Sequence, residues 1–155
     1  MSWPLTRGFE EAELYKKQLN DAIKKADNGF CPTFAMMRHA AVYENQEGRD
    51  EAIRAIQTVL GQFENLFRNM GDVSNGFPRK IPLDELQGRD QYKSSMLEEN
   101  LLFGSPDRVI EKLNKYQDLG VDEFIYYASM GMDMDAQKRS MKLFCDEVIP
   151  EFQQG

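Results

Sequence analysis

Residues 100–128, NLLFGSPDRVIEKLNKYQDLGVDEFIYYA, carry the clearest secondary-structure signals of this chain and indicate its fold class. Its Ser-Pro-Asp tripeptide at 105–107 is typical of a helix start, with serine as the N-cap, proline at the first helical position and an acid in the first turn. Apolar residues then recur at helical spacing up to Gly120, a residue type that commonly ends helices. Residues 122–129 predict a short strand. A helix that leads directly into a strand indicates an α/β fold.

Upstream of this stretch, the pattern predicts a helix, a strand and a second helix. Residues 9–26 carry apolar side chains at helical spacing, and Asn28-Gly29 is typical of the turn after a helix. Residues 33–43 are nearly all apolar apart from Arg38 and His39, a composition typical of a strand buried on both faces of a parallel sheet. Residues 49–68 have the apolar spacing of a second helix.

The remaining segments predict a long connection and a final helix. Residues 69–91 contain glycine and proline in place of a periodic pattern, so we expect a lid, a binding loop or a disordered segment. Residues 92–100 predict a short helix. Near the C-terminus, Asp133 is placed to cap a last helix that runs to about Ile149 and ends at Pro150.

The chain as a whole is therefore predicted to be an α/β protein dominated by helices, with two parallel strands and a long insertion of helix and loop between them. Glu98 and Glu99 in the insertion are expected to face solvent. Two parallel strands leave both outer edges of the sheet unpaired, which favours association with other strands. The sequence indicates part of a larger sheet.

Charge and cysteine content exclude several classes of partner. The 155 residues carry a net charge of -7, which repels nucleic-acid phosphates and anionic membrane surfaces. No apolar run approaches the roughly 20 residues needed to span a bilayer. The two cysteines, Cys31 and Cys145, are interpreted as reduced thiols of a cytoplasmic protein, although a disulfide between them stays possible.

The ordered set of motifs resembles the bacterial luciferase-like monooxygenase family. Near its C-terminus that family has a Gly-Ser/Thr-Pro-x-x-Val helix start and then a Gly-Val/Ala-Asp strand, matched here at 104–109 and 120–122. Its last helix ends in Val-x-Pro, here at 148–150. Residues 37–43, MRHAAVY, are similar to the family's seventh strand.

The resemblance implies the C-terminal portion of a TIM (β/α)8 barrel. Residues 1–48 would be the sixth helix and seventh strand, 49–100 a lid-like insertion, and 101–155 the seventh helix, eighth strand and eighth helix. A full barrel takes about 250 residues, so the first five strands and the sixth are expected to be absent from this chain.

The resemblance also implies an activity. The intact enzyme would be an oxidoreductase, a monooxygenase that uses O2 and reduced flavin mononucleotide (FMN), supplied by a flavin reductase, to oxygenate a small organic substrate. The isolated chain is expected to be inactive, to bind flavin weakly if at all, and to form a homo-oligomer through its open strand edges. No nucleic-acid or membrane partner is expected.

Three side chains in the first part of the chain are candidate site residues. Trp3 would border the flavin ring, with an ordinary buried aromatic as the alternative. His39, the only histidine, is a weak catalytic candidate as a proton donor or orienting group, with a hydrogen-bonded core residue as the alternative. A buried Arg38 needs a partner, either a structural carboxylate on a missing strand or an anion of the flavin or substrate.

The turn after the last strand is the fourth candidate. Ser129, Met130 and Gly131 would contact flavin or substrate through backbone amides, because barrel active sites collect at the carboxyl ends of the strands. The alternating Met130, Met132 and Met134 are expected to pack under the lid and not to bind a metal.

Two other functions stay open. The chain could be a small non-catalytic binding or interaction module that retains the family's terminal fold and self-associates. It could also belong to a barrel enzyme of another class that shares only the terminal pattern of helix, strand and helix.

Overall fold

A computed structural model describes residues 7–68, 73–78, 82–128 and 130–153 of the chain. Helices and strands alternate along it. In chain order the elements are α1 (Phe9–Ala26), β1 (Ala35–Val42), α2 (Gln46–Arg68), β2 (Val73–Ser74), β3 (Phe77–Pro78), α3 (Leu83–Gln87), α4 (Ser94–Asn100), β4 (Leu102–Gly104), α5 (Pro106–Asp118), β5 (Glu123–Tyr127), α6 (Met134–Leu143) and α7 (Ile149–Phe152). A 3₁₀ turn, Asp90–Tyr92, precedes α4, and a π-helical turn, Phe144–Val148, joins α6 to α7.

The main sheet has three parallel strands in the order β4-β1-β5. The parallel direction is confirmed, but the prediction of two strands is wrong. The additional strand, β4, is only three residues long, and all three residues are buried. A strand that short has no detectable alternation of apolar and polar residues, so its sequence resembles the end of a loop.

The two neighbours of β1 pair with different halves of it. β5 pairs with residues 35–39, and β4 pairs with residues 40–42. On the β4 side, residues 35–39 have no strand neighbour among the described residues, and neither does the outer edge of β5. At the far end of β1 the Val42 N–H instead donates to Ser140 Oγ, at 2.7 Å. The sheet thus has two open edges, one on each side.

Alternation along β1 separates two faces of the sheet. The outer face carries Arg38, Ala40 and Val42; Ala40 and Val42 pack against α5 and the C-terminal helices. The inner face carries Met37, His39 and Ala41. On this face α2 packs over Ala41 and over the neighbouring strand β4. Side chains of neighbouring residues in β1 therefore reach different layers of the fold.

The predicted signals at the start and end of α5 are confirmed. The Ser105 Oγ accepts the Arg108 N–H at 3.4 Å, and Pro106 is the first residue of the helix. Gly120 follows the helix with a φ of 83°, a conformation that other residues rarely adopt. The helix of residues 9–26 and the short helix before residue 100 are also confirmed.

Pro150 does not end the last helix, which is a correction. A π-helical turn follows α6, and a new α-helical segment, α7, then begins at Ile149 with Pro150 in its first turn. A proline is tolerated there because its missing N–H would have no partner in the first turn of a helix.

The connection predicted as a loop contains a tight hairpin. β2 and β3 are antiparallel, and they are joined by Asn75 and Gly76 with φ values of 51° and 80°. Asn-Gly with two positive φ values is the preferred two-residue hairpin turn. Among the described ranges, no helix is both long and apolar enough to cross a membrane.

Candidate functional site

The candidate site lies on the inner face, at the carboxyl ends of the three parallel strands. β1, β4 and β5 all end at the same edge of the sheet, because they are parallel. Ligands of open parallel sheets and of barrels bind at this edge. On one side, α2 and α4 cover the site with apolar side chains in contact with Ala41, Phe103 and Met130.

His39 and Tyr127 are neighbours on this face. They are paired across β1 and β5, and their ring centroids are 4.7 Å apart with a tilt of 38°. The His39 side chain is buried, with 1% of its surface exposed, whereas Tyr127 is half-buried. Burial lowers the pKa of His39 from 6.5 to about 4. At neutral pH the imidazole is uncharged, which suits an orienting role better than that of a proton donor.

Arg38 lies on the opposite face, buried between β1 and the helices. Its Nε donates to Tyr116 Oη at 3.0 Å, and its Nη2 donates to the Gly8 carbonyl at 3.2 Å. Its Nη1 is buried and has no hydrogen-bond partner in the part of the chain that the structure describes. Arg38 and His39 are therefore not brought together. The expected carboxylate partner is not found among the described residues, and the flavin-contact hypothesis stays a prediction.

The turn after β5 lies against α2. Met130 is buried in the core with Ile56 and Leu60, whereas Gly131 is exposed with a φ of 77°. Trp3 and Ser129 lie outside the described residues, so their predicted contacts stay predictions.

The methionines after β5 differ from one another in burial. Met130 and Met132 pack against α2 as expected for residues under a lid. Met134 is 62% exposed, so that expectation is wrong for it; as the first residue of α6, its side chain lies on the solvent side of the helix. No three His, Cys, Asp or Glu side chains are grouped to hold a metal in the described ranges.

A cluster that the sequence did not reveal joins β1, α2 and α4. The Arg49 guanidinium contacts both carboxylate oxygens of Glu98 at 2.6 Å, and Tyr43 Oη donates to Glu98 Oε1 at 2.9 Å. The hydrogen bonds from Arg49 hold the pKa of the Glu98 carboxyl below its usual range. The Glu98 side chain is 28% exposed, so the prediction that it faces solvent is only partly correct. Residues far apart in sequence cover the rest of it.

Replacing Glu98 by glutamine is expected to lower the free energy of unfolding by about 1–2 kcal/mol, since a two-point charged interaction is lost while volume is kept. Urea denaturation at pH 7 measures the change. Glu99→Gln is the matched control, because Glu99 is 64% exposed and bonds Arg108 at the surface. Equal changes in the two variants would contradict a special role for Glu98.

Lys112 is a second residue that sequence reasoning missed. It lies on the buried side of α5, and its ammonium donates to the carbonyl oxygens of Glu98, Leu101 and Phe103. Two of these distances are 2.8 Å, to Leu101, and 3.0 Å, to Phe103. Burial lowers the pKa of Lys112 to about 8, so at neutral pH the side chain is still mainly charged. These hydrogen bonds connect the end of α4 to β4.

Two concavities border the sheet. One of about 350 Å³ lies between the β1–α2 turn and α6, where Glu51 and Arg139 are among its charged lining residues. The other, of about 450 Å³, is an apolar groove between α5 and α7, near the amino end of β5. Only the first is close to the carboxyl ends of the strands.

The chain is similar to a flavoenzyme. It is 25% identical over 152 residues to the flavin-dependent trigonelline monooxygenase, oxygenase component, of Acinetobacter baylyi. The match covers 98% of this chain and 42% of that protein, so the chain spans less than half the length of its relative. No family model matches the chain. The expected resemblance is confirmed at the level of a flavin-dependent monooxygenase oxygenase component.

Proposed function

We propose that this chain forms the C-terminal part of a luciferase-like (β/α)8 barrel that oxygenates a small organic substrate with O2 and reduced FMN. The observation that carries the proposal is the similarity to a flavin-dependent oxygenase component over 98% of the chain. In this assignment β1 and β5 are the seventh and eighth strands, and α2 to α4 belong to the lid-like insertion.

The open edges of the sheet support this assignment. The free side of residues 35–39 in β1 would receive the sixth strand, and the free edge of β5 would receive the first strand. Large apolar side chains are also exposed on and beside α1, with Leu14 at 46% and Phe30 at 67%. Further barrel elements would cover them, because apolar surface is stabilised when it is removed from water.

The cofactor and partners follow from the same assignment. The relative is named as an oxygenase component, which supports a separate flavin reductase that supplies the reduced FMN. The flavin contacts would come from Trp3 and the turn at residues 129–131, with His39 orienting a neighbour. Arg38, on the opposite face, would not reach the same ligand. The cofactor supplies the oxygen chemistry, and the protein orients the cofactor and excludes water.

The isolated chain is proposed to be inactive and to self-associate, since open strand edges pair readily with other strands. A cytoplasmic location is proposed because Cys31 and Cys145 are both exposed free thiols, which persist in reducing compartments.

A binding module is the second candidate function. The observation that favours it is that α2 and α4 cover part of the inner face within this chain, in a core that includes Tyr92 and Leu97. Such a module would be a folded monomer or dimer whose binding does not depend on a missing half.

A chimera tests the proposal. This chain replaces the matched segment of the Acinetobacter baylyi relative, and the relative itself is the positive control. We expect the chimera to elute with flavin on gel filtration read at 280 and 450 nm, and to form an oxygenated product from trigonelline, the compound in the relative's name, when reduced FMN and O2 are supplied. The isolated chain is expected to elute as an oligomer without flavin. A compact isolated chain that co-elutes with flavin, or a folded chimera that binds none, would contradict the proposal.

A further inference from the structure

The inner face at the end of β5 presents one aromatic ring that the sequence did not single out. Tyr127 is the last residue of β5, and its side chain lies on the same face as His39. By register Tyr127 lies level with His39, one inner-face layer below Ala41, and β5 ends there, so its ring is close to the edge where ligands bind.

The Tyr127 ring packs against the buried side chain of His39. His39 is buried and its ring lies 4.7 Å from the Tyr127 ring, centroid to centroid, in a tilted geometry. Such aromatic pairs fix each other's orientation. A buried imidazole is compatible with this place only if it is uncharged, and burial does keep it neutral near pH 7.

Among the described inner-face residues of β1 and β5, those directly below the Tyr127 ring are apolar. Met37 and Ile125, the inner-face residues one layer below, are half-buried. The one charged inner-face residue of β5 is Glu123. It is four residues before Tyr127 and therefore about 13 Å from it along the strand. An uncharged surface with an aromatic ring recognises flat rings by stacking and apolar contact, and does not recognise anions.

We propose that Tyr127 is a ligand-contacting residue that stacks against a planar aromatic ring, and that His39 is the positioning residue that holds it. This inference rests on the proposed function for the location of the ligand. The shared chemistry is that of a flat ring, whose source is either the flavin or an aromatic substrate.

Nuclear magnetic resonance on the isolated chain tests the inference. Lumiflavin, which has the flavin ring without the phosphate, and benzyl alcohol, which has a single neutral ring, are titrated separately. We expect weak binding, with resonance shifts at Tyr127, Ile125 and Met37. Tighter binding of lumiflavin identifies the flavin as the source, and tighter binding of benzyl alcohol identifies the substrate.

Variants separate the roles. Tyr127→Leu is expected to weaken ring binding about three- to tenfold, and Tyr127→Phe to leave it within about twofold, because the ring and not the hydroxyl makes the contact. Tyr126→Phe, on the outer face, is the control and should bind as the wild type does. His39→Gln should shift the Tyr127 ring resonances before any ligand is added. Wild-type binding should not change between pH 5.5 and 8.

Two results would overturn the inference: no shift at Tyr127 with either ring, or equal ring binding by Tyr127→Leu, whose fold the same spectra verify. Formation of the oxygenated product by the chimera is measured separately. If the chimera is active and its Tyr127→Leu variant binds and turns over normally, the Tyr127 inference fails and the proposed function stands. If the chimera folds without binding flavin, it is the proposed function that fails.

Discussion

Lys112→Met is expected to lower the free energy of unfolding by about 2–4 kcal/mol. Methionine keeps the apolar stem of the side chain but cannot donate, so the carbonyl oxygens of Glu98, Leu101 and Phe103 lose the ammonium that joins them. Removing a buried charge recovers part of its desolvation cost, and for this reason the expected loss is smaller than three full hydrogen-bond penalties. The end of α4 and the start of β4 should loosen first.

Urea denaturation monitored by circular dichroism measures this change, provided that the slope of the transition is the same in both proteins. Lys115→Met, on the same helix, is the matched control, because the Lys115 ammonium is half-exposed and pairs with Glu111 at 3.1 Å on the surface. Its expected effect is below about 1 kcal/mol. Equal stabilities of the two variants would show that Lys112 does not hold this junction together.

The second large effect is the pH dependence caused by His39. The folded protein holds the pKa of His39 at about 4, against 6.5 for an ordinary histidine. Between these values the unfolded chain takes up a proton that the folded chain does not, so stability falls as the pH decreases from 6.5 to 4. The full histidine contribution is present above pH 6.5, and its loss by pH 4 is about 3 kcal/mol.

Carboxylates such as Glu98 change stability in the same direction, so the histidine effect is isolated by comparison with His39→Gln. The stability difference between wild type and variant should shrink by about 3 kcal/mol between pH 7 and pH 4. Since the chain has one histidine, its imidazole resonance can be followed without ambiguity. A resonance that titrates near pH 6.5, or parallel stability curves, would refute the buried neutral imidazole.

Local sequence signals predicted the helices well. Ser105 and Pro106 begin α5, and Gly120 follows it, because capping and positive φ depend on a few adjacent residues. The buried run around Arg38 and His39 also predicted β1 and its parallel pairing. The prediction that Pro150 ends the last helix is wrong because the π-helical turn before it makes the proline the second residue of a new helical segment.

The candidate site was predicted only in part. Arg38 and His39 are adjacent candidates in the sequence, but strand alternation sends them to opposite faces, where Arg38 contacts Tyr116 and His39 contacts Tyr127. Tyr127 carries no motif, and only the in-register pairing of β1 and β5 places its ring beside His39.

Periodicity, caps and ordered motifs lie within short stretches, so the amino-acid sequence is enough to predict the alternation of helices and strands, the parallel sheet and the similarity to flavin-dependent monooxygenases. The folded chain adds that β4 joins the sheet, that Glu98 is bound by Arg49 and Tyr43, and that Lys112 joins three carbonyl groups. The partners in each of these contacts are 9 to 62 residues apart in sequence or share no local pattern. Burial and hydrogen-bond satisfaction in the folded chain brought them together.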